Sequence, residues 1–271
     1  LNFTSKRIPQ VVLFGIVTKS NYNKPRQQKY PTVSCNKIKI MLKTESTELI
    51  DWIESAIDYS NIKSNSLRIS NFLPKFDHYI GITWKVGVIK DFPFEQLISN
   101  PVTVEEINNN AKIGRSFPQI YGYSENGFKE IDTKELFKMF NIPYHEYKND
   151  NKLPWNSRAI RILERKIIEN LSTLLNEISD KNDLLLYWED YYRYGIEDKL
   201  FKITIDEFLT ELQETGFDSS LYLFPENKDW CLVNLEDLGF NIFAFNDNVK
   251  NKMKFLSEIE NFKLTYESEL Y

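Results

Sequence analysis

Residues 221–245 read LYLFPENKDWCLVNLEDLGFNIFAF, a pattern that predicts antiparallel strands. Apolar and aromatic residues fill three runs of strand length, at 220–224, 230–234 and 240–246. The polar, proline-containing segment 225–229 separates the first two runs by the length of a hairpin turn. Since a connection this short joins neighbouring antiparallel strands, the three runs favour a sheet built from hairpins.

Two helices are predicted before these strands. In residues 157–180 an apolar stripe recurs at steps of three and four residues, which is typical of a long amphipathic helix. The stripe consists of Ile160, Leu163, Ile167, Leu171, Leu174 and Ile178. Thr204 and Glu207 have the spacing of a capping box, so a second helix is expected to begin there and to end at Gly216.

The remainder of the chain is expected to form shorter elements. Strands are predicted at 9–18, 37–43, 78–90, 142–148 and 184–187, a hairpin within 117–131, and helices at 44–59, 103–110, 133–141 and 250–263. The strands and helices do not alternate as they would in a parallel βαβ fold. The predicted fold class is therefore α+β, with antiparallel or mixed sheets, packed helices and one long amphipathic helix in the second half.

Charge is distributed unevenly along the 271 residues. Residues 1–150 carry 20 Lys and Arg against 16 Asp and Glu, whereas residues 151–271 carry 14 against 23, so a net charge of +4 is followed by one of −9. The polar segment 148–156, which contains Pro154, lies at the change of sign. Two arrangements stay open: an N-terminal α+β domain (1–150) with a basic arm followed by an acidic α+β domain (151–271), or one continuous domain.

The sequence contains none of the common motifs of catalysis or cofactor binding. The patterns GxGxxG, GxxxxGK[ST], GxSxG and HExxH do not occur. The histidines His78 and His145 and the cysteines Cys35 and Cys231 lack the spacing of a zinc site or a disulfide framework. We therefore expect no catalytic residue, metal or cofactor, and the inventory favours a protein that is not an enzyme without deciding the point. No apolar run reaches the roughly 20 residues of a membrane-spanning helix, so a cytoplasmic protein is expected.

One candidate site is acidic and aromatic. It consists of Trp188, Glu189, Asp190, Tyr191, Tyr192 and Tyr194. Large aromatic side chains anchor many protein interfaces, and the carboxylates would steer a basic partner towards them. The same aromatic residues could instead belong to the core, and the sequence leaves both interpretations open.

A second candidate site is a basic arm near the start of the chain. It consists of Lys19, Tyr22, Lys24, Arg26, Lys29 and Tyr30. Cationic side chains interleaved with tyrosines could contact phosphates and stack on bases, which would make the protein one that binds or processes nucleic acid. The alternative is a solvated loop, which is favoured because no RNP, KH or helix-turn-helix pattern accompanies the arm.

The carboxyl-terminal pattern resembles the closing β-hairpin of some bacterial toxin-immunity proteins. The resemblance is carried by Leu221-Tyr222-Leu223-Phe224, by Asp229-Trp230-Cys231-Leu232 and by the acidic pair Glu236-Asp237. Such families neutralise a toxin by binding it, so the resemblance implies an immunity or inhibitor protein whose partner is a basic toxin domain. The nucleic-acid interpretation of the basic arm remains the alternative.

Overall fold

The structure is a computed structural model, which describes eleven parts of the chain. They are residues 42–43, 47–57, 67–95, 103–114, 127–143, 152–153, 159–179, 183–188, 200–215, 220–235 and 238–270. The predicted strand 9–18, the first part of the predicted hairpin within 117–131 and the predicted helix stop at Gly216 lie outside the described residues.

The largest element is an eight-stranded sheet in which all paired strands are antiparallel. Its strands are β1 (Leu42–Lys43), β2 (His78–Thr83), β6 (Leu184–Trp188), β7 (Leu200–Ile203), β8 (Leu221–Pro225), β9 (Trp230–Asn234), β10 (Phe240–Phe245) and β11 (Asn261–Leu264). Their order across the sheet is β1-β7-β6-β8-β9-β10-β2-β11. The predicted α+β class with antiparallel pairing is confirmed.

Residues 221–245 form three adjacent central strands, as their pattern predicts. The turn between β8 and β9 closes where the N–H of Lys228 donates to the carbonyl of Pro225 at 2.9 Å. Lys228 has a φ of +59°, and Asn227 stabilises the turn by accepting the N–H of Asp229 at 3.3 Å. Short-range turn chemistry therefore brings about the central pairing.

Both faces of the large sheet are covered. One face packs against two helices, α4 (Glu164–Ile178) and α5 (Ile205–Thr215), in a shared hydrophobic core. The other face packs against a short helix, α1 (Asp51–Glu54), the 3-10 turn Ile69–Asn71 and the end of the chain around Leu270. Because apolar surface is buried on both sides, the central strands can be apolar throughout rather than alternating.

The long helix exists but is shorter than predicted. Residues Ile160–Ile162 form a strand, β5, and the helix begins only at Glu164. The stripe of Ile167, Leu171, Leu174 and Ile178 is buried in the core, as its spacing predicts. The start was misjudged because β-branched isoleucines at 160 and 162 suit a strand as well as a helical stripe.

A three-stranded sheet accompanies the large one. It has the order β4-β3-β5, where β3 is Val86–Ile89 and β4 is Phe128–Ile131. The single strand predicted at 78–90 is therefore two strands in two sheets, divided at residues 84–85. The division arises because the backbone changes partners there: Thr83 donates its N–H to Glu260, whereas the carbonyl of Lys85 accepts the N–H of Leu163.

The remaining helices divide into confirmed and corrected predictions. Helix α2 (Val104–Lys112), capped by Thr103, and helix α3 (Thr133–Met139) match the predicted segments 103–110 and 133–141. In the described part of the helix predicted at 44–59, residues 47–57, the structure instead has a 3-10 turn, Thr47–Leu49, followed by the single turn α1. Ile142 and Pro143 lie in no strand, and the rest of the predicted strand 142–148 lies outside the described residues.

The closing helix predicted at 250–263 is wrong. The structure has a short helix, α6 (Asp247–Lys250), a 3-10 turn (Phe255–Glu258) and strand β11. Residues 261–264 pair with β2, and the ring of Phe262 covers Gly81 so closely that any side chain at position 81 would overlap it. Pairing with a distant strand therefore outweighs the local helical pattern.

The strand pairings bear on the predicted boundary near residue 150. The large sheet contains β1 and β2 from one side of that residue and β6 to β11 from the other, and the small sheet combines β3 and β4 with β5. The division at residue 150 stays a prediction, and these pairings favour its alternative of one continuous domain.

Candidate partner-binding surface

Trp188 is the described member of the acidic and aromatic site. It ends β6, is 3% exposed, and lies in the core beneath α4 and α5 with Leu186 and Leu221. Of the two interpretations of this site, the buried position of Trp188 favours the core, and its ring is not exposed to a partner. Glu189, Asp190, Tyr191, Tyr192 and Tyr194 lie outside the described residues, as do the six residues of the basic arm.

Strand register shows what lies beside Trp188. Trp188 pairs with Leu221, and Leu221 pairs with Asn234, at which β9 ends; Leu235 follows directly. The carbonyl of Leu235 accepts the N–H of Leu238 at 3.2 Å and so closes the connection to β10. The residues that directly precede Glu189 and Glu236 in the sequence thus lie at the same end of the large sheet.

A buried polar network occupies this end of the sheet. The indole N–H of Trp84 donates to Oδ1 of Asn241 at 3.0 Å, and Nδ2 of Asn241 donates to Oδ1 of Asn234 at 3.0 Å. Asn241 and Asn234 are 1% and 2% exposed. Buried amides are costly unless they are hydrogen-bonded, so this network fixes the pairing of β9 with β10 and the position of the chain at Trp84. The sequence gives no signal for this network, because Asn234 and Asn241 are single polar residues in two different predicted strands.

The opposite end of the sheet contains His78. Its Nε2 lies 2.7 Å from Oδ1 of Asp247, and its ring packs on Phe245 with a centroid distance of 5.1 Å. Asp77, the residue before His78, accepts the N–H of Asp247 at 3.1 Å. The hydrogen bond from His78 lowers the pKa of the Asp247 carboxyl.

This histidine pair has limited chemical capacity. His78 and Asp247 are partly or largely exposed, with 30% and 77% of their side-chain surfaces accessible. Within the described parts of the chain, no three His, Cys, Asp or Glu side chains are grouped so that they could hold a metal ion. His145 lies outside the described residues. The arrangement is that of a surface hydrogen bond that joins β2 to α6.

Two other reactive side chains are buried in inactive forms. Burial raises the pKa of the Cys231 thiol, which keeps it protonated and unreactive. Burial likewise raises the pKa of Tyr79 to about 12, and its hydroxyl donates to the carbonyl of Pro74 and accepts the N–H of Phe76. Neither side chain is activated as a nucleophile.

Glu226 and Lys228 lie in the β8–β9 turn. The ammonium of Lys228 lies over the ring of Trp52, 5.5 Å from its centroid. Glu226 lies 4.0 Å from Nζ of Lys202, which also pairs with Asp183 at 3.0 Å. Their contacts are thus a cation–π contact and a surface ion pair, which stabilise the turn.

Comparison with known proteins found no match: no family model, no curated protein and no solved structure resembles this chain at a significant level. Among the residues that the structure describes, no helix combines the length and apolarity needed to cross a membrane.

Proposed function

We propose that this protein is a non-catalytic binding protein, an immunity or inhibitor protein that neutralises a basic bacterial toxin domain by direct contact. The binding surface comprises the acidic and aromatic segment after Trp188, with Glu189, Asp190, Tyr191, Tyr192 and Tyr194, together with the acidic pair Glu236-Asp237. It acts in the cytoplasm, where the toxin would otherwise reach its target.

The observation that carries the proposal is the position of Trp188 and Leu235 at one end of the large sheet. Each directly precedes two carboxylates in the sequence, and residues 151–271 carry an excess of nine negative charges. An acidic surface would accelerate association with a basic domain and would repel partners of the same sign. The buried strands that end at Trp188 and Asn234 supply a rigid base from which these two segments begin.

The test is binding to the toxin domain encoded beside this gene, if one is present there. Reversing Glu189 and Asp190 to Lys together should slow association by roughly tenfold at low salt, since exposed charges act mainly on the association rate. The matched control reverses Glu130, which is exposed on β4 in the first half of the chain, and should leave the rate unchanged. Equal association rates for both variants and the native protein would contradict the proposal.

The alternative function is nucleic-acid binding by the basic arm. It is favoured by one observation: the first 44 residues hold nine basic residues and no acidic one. A gel-shift assay with single- and double-stranded oligonucleotides at low salt separates the two functions. Binding that is abolished by changing Lys24, Arg26 and Lys29 to Ser, with a salt slope that falls by about one unit per lost phosphate contact, would establish the alternative.

A further inference from the structure

The two sheets are joined along one edge of the small sheet. Val86 pairs with Ile131 and with Ile162, so these three residues form the row at that edge. Two of the three strands continue directly into the rest of the molecule: residues 84–85 lead from β3 into β2, and Leu163 alone leads from β5 into α4. A backbone hydrogen bond of 2.8 Å from Leu163 to Lys85 holds the two crossings together.

The third strand has a different attachment. Strand β4 leads into helix α3 of the same unit, and the start of α3 is held by a side chain from the other sheet. The carboxylate of Glu260 accepts the N–H of Thr133 at 2.8 Å and the N–H of Lys134 at 2.7 Å. The carbonyl of Glu260 is fixed in turn, since it accepts both the N–H of Thr83 at 3.2 Å and its hydroxyl at 3.1 Å.

Two other contacts at the start of α3 join it to residues 84–85 rather than to Glu260. The hydroxyl of Thr133 donates to the carbonyl of Trp84 at 2.7 Å, and Lys85 forms an ion pair with Asp132. Both contacts tie the start of α3 to the crossing at residues 84–85. The carboxylate of Glu260 ties it instead to the segment that leads into β11, on the outer edge of the large sheet.

We propose that Glu260 is a clasp that holds the small sheet against the large one and that can release it. The paired crossings at 84–85 and 163 form a hinge, and the clasp adds a further attachment, from the segment that leads into β11 to the start of α3. The first amides of a helix have no partner within the helix, so the carboxylate satisfies them while it is bound and water can satisfy them when it leaves. Release would let α3 and β4 open locally, while the central strands of the large sheet stay paired.

Hydrogen–deuterium exchange of the full chain, resolved by mass spectrometry, tests the clasp. Glu260→Gln and Glu260→Ala should raise exchange in residues 128–139 by on the order of tenfold or more, because a charge-assisted pair of hydrogen bonds is lost. Exchange in the central strands β8, β9 and β10 should not change. The matched control is Glu258→Gln, which removes the same charge from an exposed side chain in the preceding 3-10 turn and should have no effect.

A second variant reaches the clasp from the other side. Thr133 is the first residue of α3, where proline is tolerated, and Asp132 has the extended backbone (φ −74°, ψ 149°) that a residue before proline requires. Thr133→Pro removes one N–H that Glu260 binds and should reproduce the local increase in exchange. Thr133→Val removes the hydroxyl alone and measures the separate contribution of its bond to Trp84.

The outcomes decide the proposal. A rise confined to residues 128–139 in the Glu260 variants and in Thr133→Pro, beyond the rise in Thr133→Val, supports the clasp. Unchanged exchange in this segment overturns it. An equal rise in both sheets also overturns it, because Glu260 would then stabilise the whole fold rather than one movable part.

Discussion

Replacing Asn241 by Ala tests whether the buried amide network holds the central sheet together. Within the core, Oδ1 of Asn241 accepts the indole N–H of Trp84, and Nδ2 of Asn241 donates to Oδ1 of Asn234. Asn241 is 1% exposed. The variant loses both bonds and leaves a small cavity. At about 1 to 1.5 kcal/mol for each buried bond, plus about 1 kcal/mol for the cavity, the free energy of unfolding should fall by about 3 kcal/mol.

The assay is urea denaturation followed by tryptophan fluorescence, which reports on the unfolding of the whole chain. The midpoint should move to lower urea while the slope of the free energy against urea stays unchanged. Asn234→Ala, which removes one of the two bonds, should cost about half as much, and the double variant should cost less than the sum because the pair shares a bond. Asn248→Ala, at an exposed position in α6, is the matched control and should cost no more than about 0.5 kcal/mol. A loss below about 1 kcal/mol for Asn241→Ala would refute the network as a determinant of stability.

Four further outcomes are expected. Thr204→Ala breaks the capping box, in which the hydroxyl of Thr204 accepts the N–H of Glu207 at 3.2 Å, and should lower the unfolding free energy by about 1 kcal/mol in thermal unfolding. The pKa of Asp247 is lowered in the folded protein, so its contribution to stability is present above its unfolded pKa and is lost as the pH falls through its folded pKa. In an NMR titration, His78→Gln should return the pKa of Asp247 towards its ordinary range. An unchanged pKa would exclude His78 as the cause. Trp188→Ala should lower the free energy of unfolding by about 3–5 kcal/mol, as truncation of a buried tryptophan does. A loss of affinity for the partner with unchanged stability would instead show that Trp188 is an exposed anchor of the interface. Cys231 should react with a thiol reagent only as fast as the protein unfolds, and rapid labelling of the folded protein at this position would contradict its burial.

The elements that could be predicted are those with local causes. The central strands 221–225 and 230–234 are recognisable because turn residues separate two runs of apolar residues, and Thr204 marks a helix start through its own hydroxyl. In each case the residues that determine the structure lie within a few positions of one another. The same is true of the buried stripe in α4.

The elements that could not be predicted depend on distant partners. Residues 261–264 become a strand because Phe262 lies opposite Gly81, 181 positions earlier in the chain. The acceptor for His78 is Asp247, 169 positions away, and no pattern around the histidine indicates it. Such contacts follow from the assembled sheet, so a single sequence read locally contains no signal for them.

The interpretation of Trp188 shows how the two kinds of information combine. Read as an extended segment from 184 to 194, the sequence places carboxylates on both faces, and the aromatic residues could then belong to a surface. The strand instead ends at Trp188, and all five of its residues are buried: Leu184, Leu186 and Trp188 on the face covered by α4 and α5, Leu185 and Tyr187 on the other. A strand covered on both faces is continuously apolar, so alternation is the wrong test for it. The aromatic side chain at 188 therefore belongs to the core, and the negative charge that the proposed surface needs begins only with the residue that follows it.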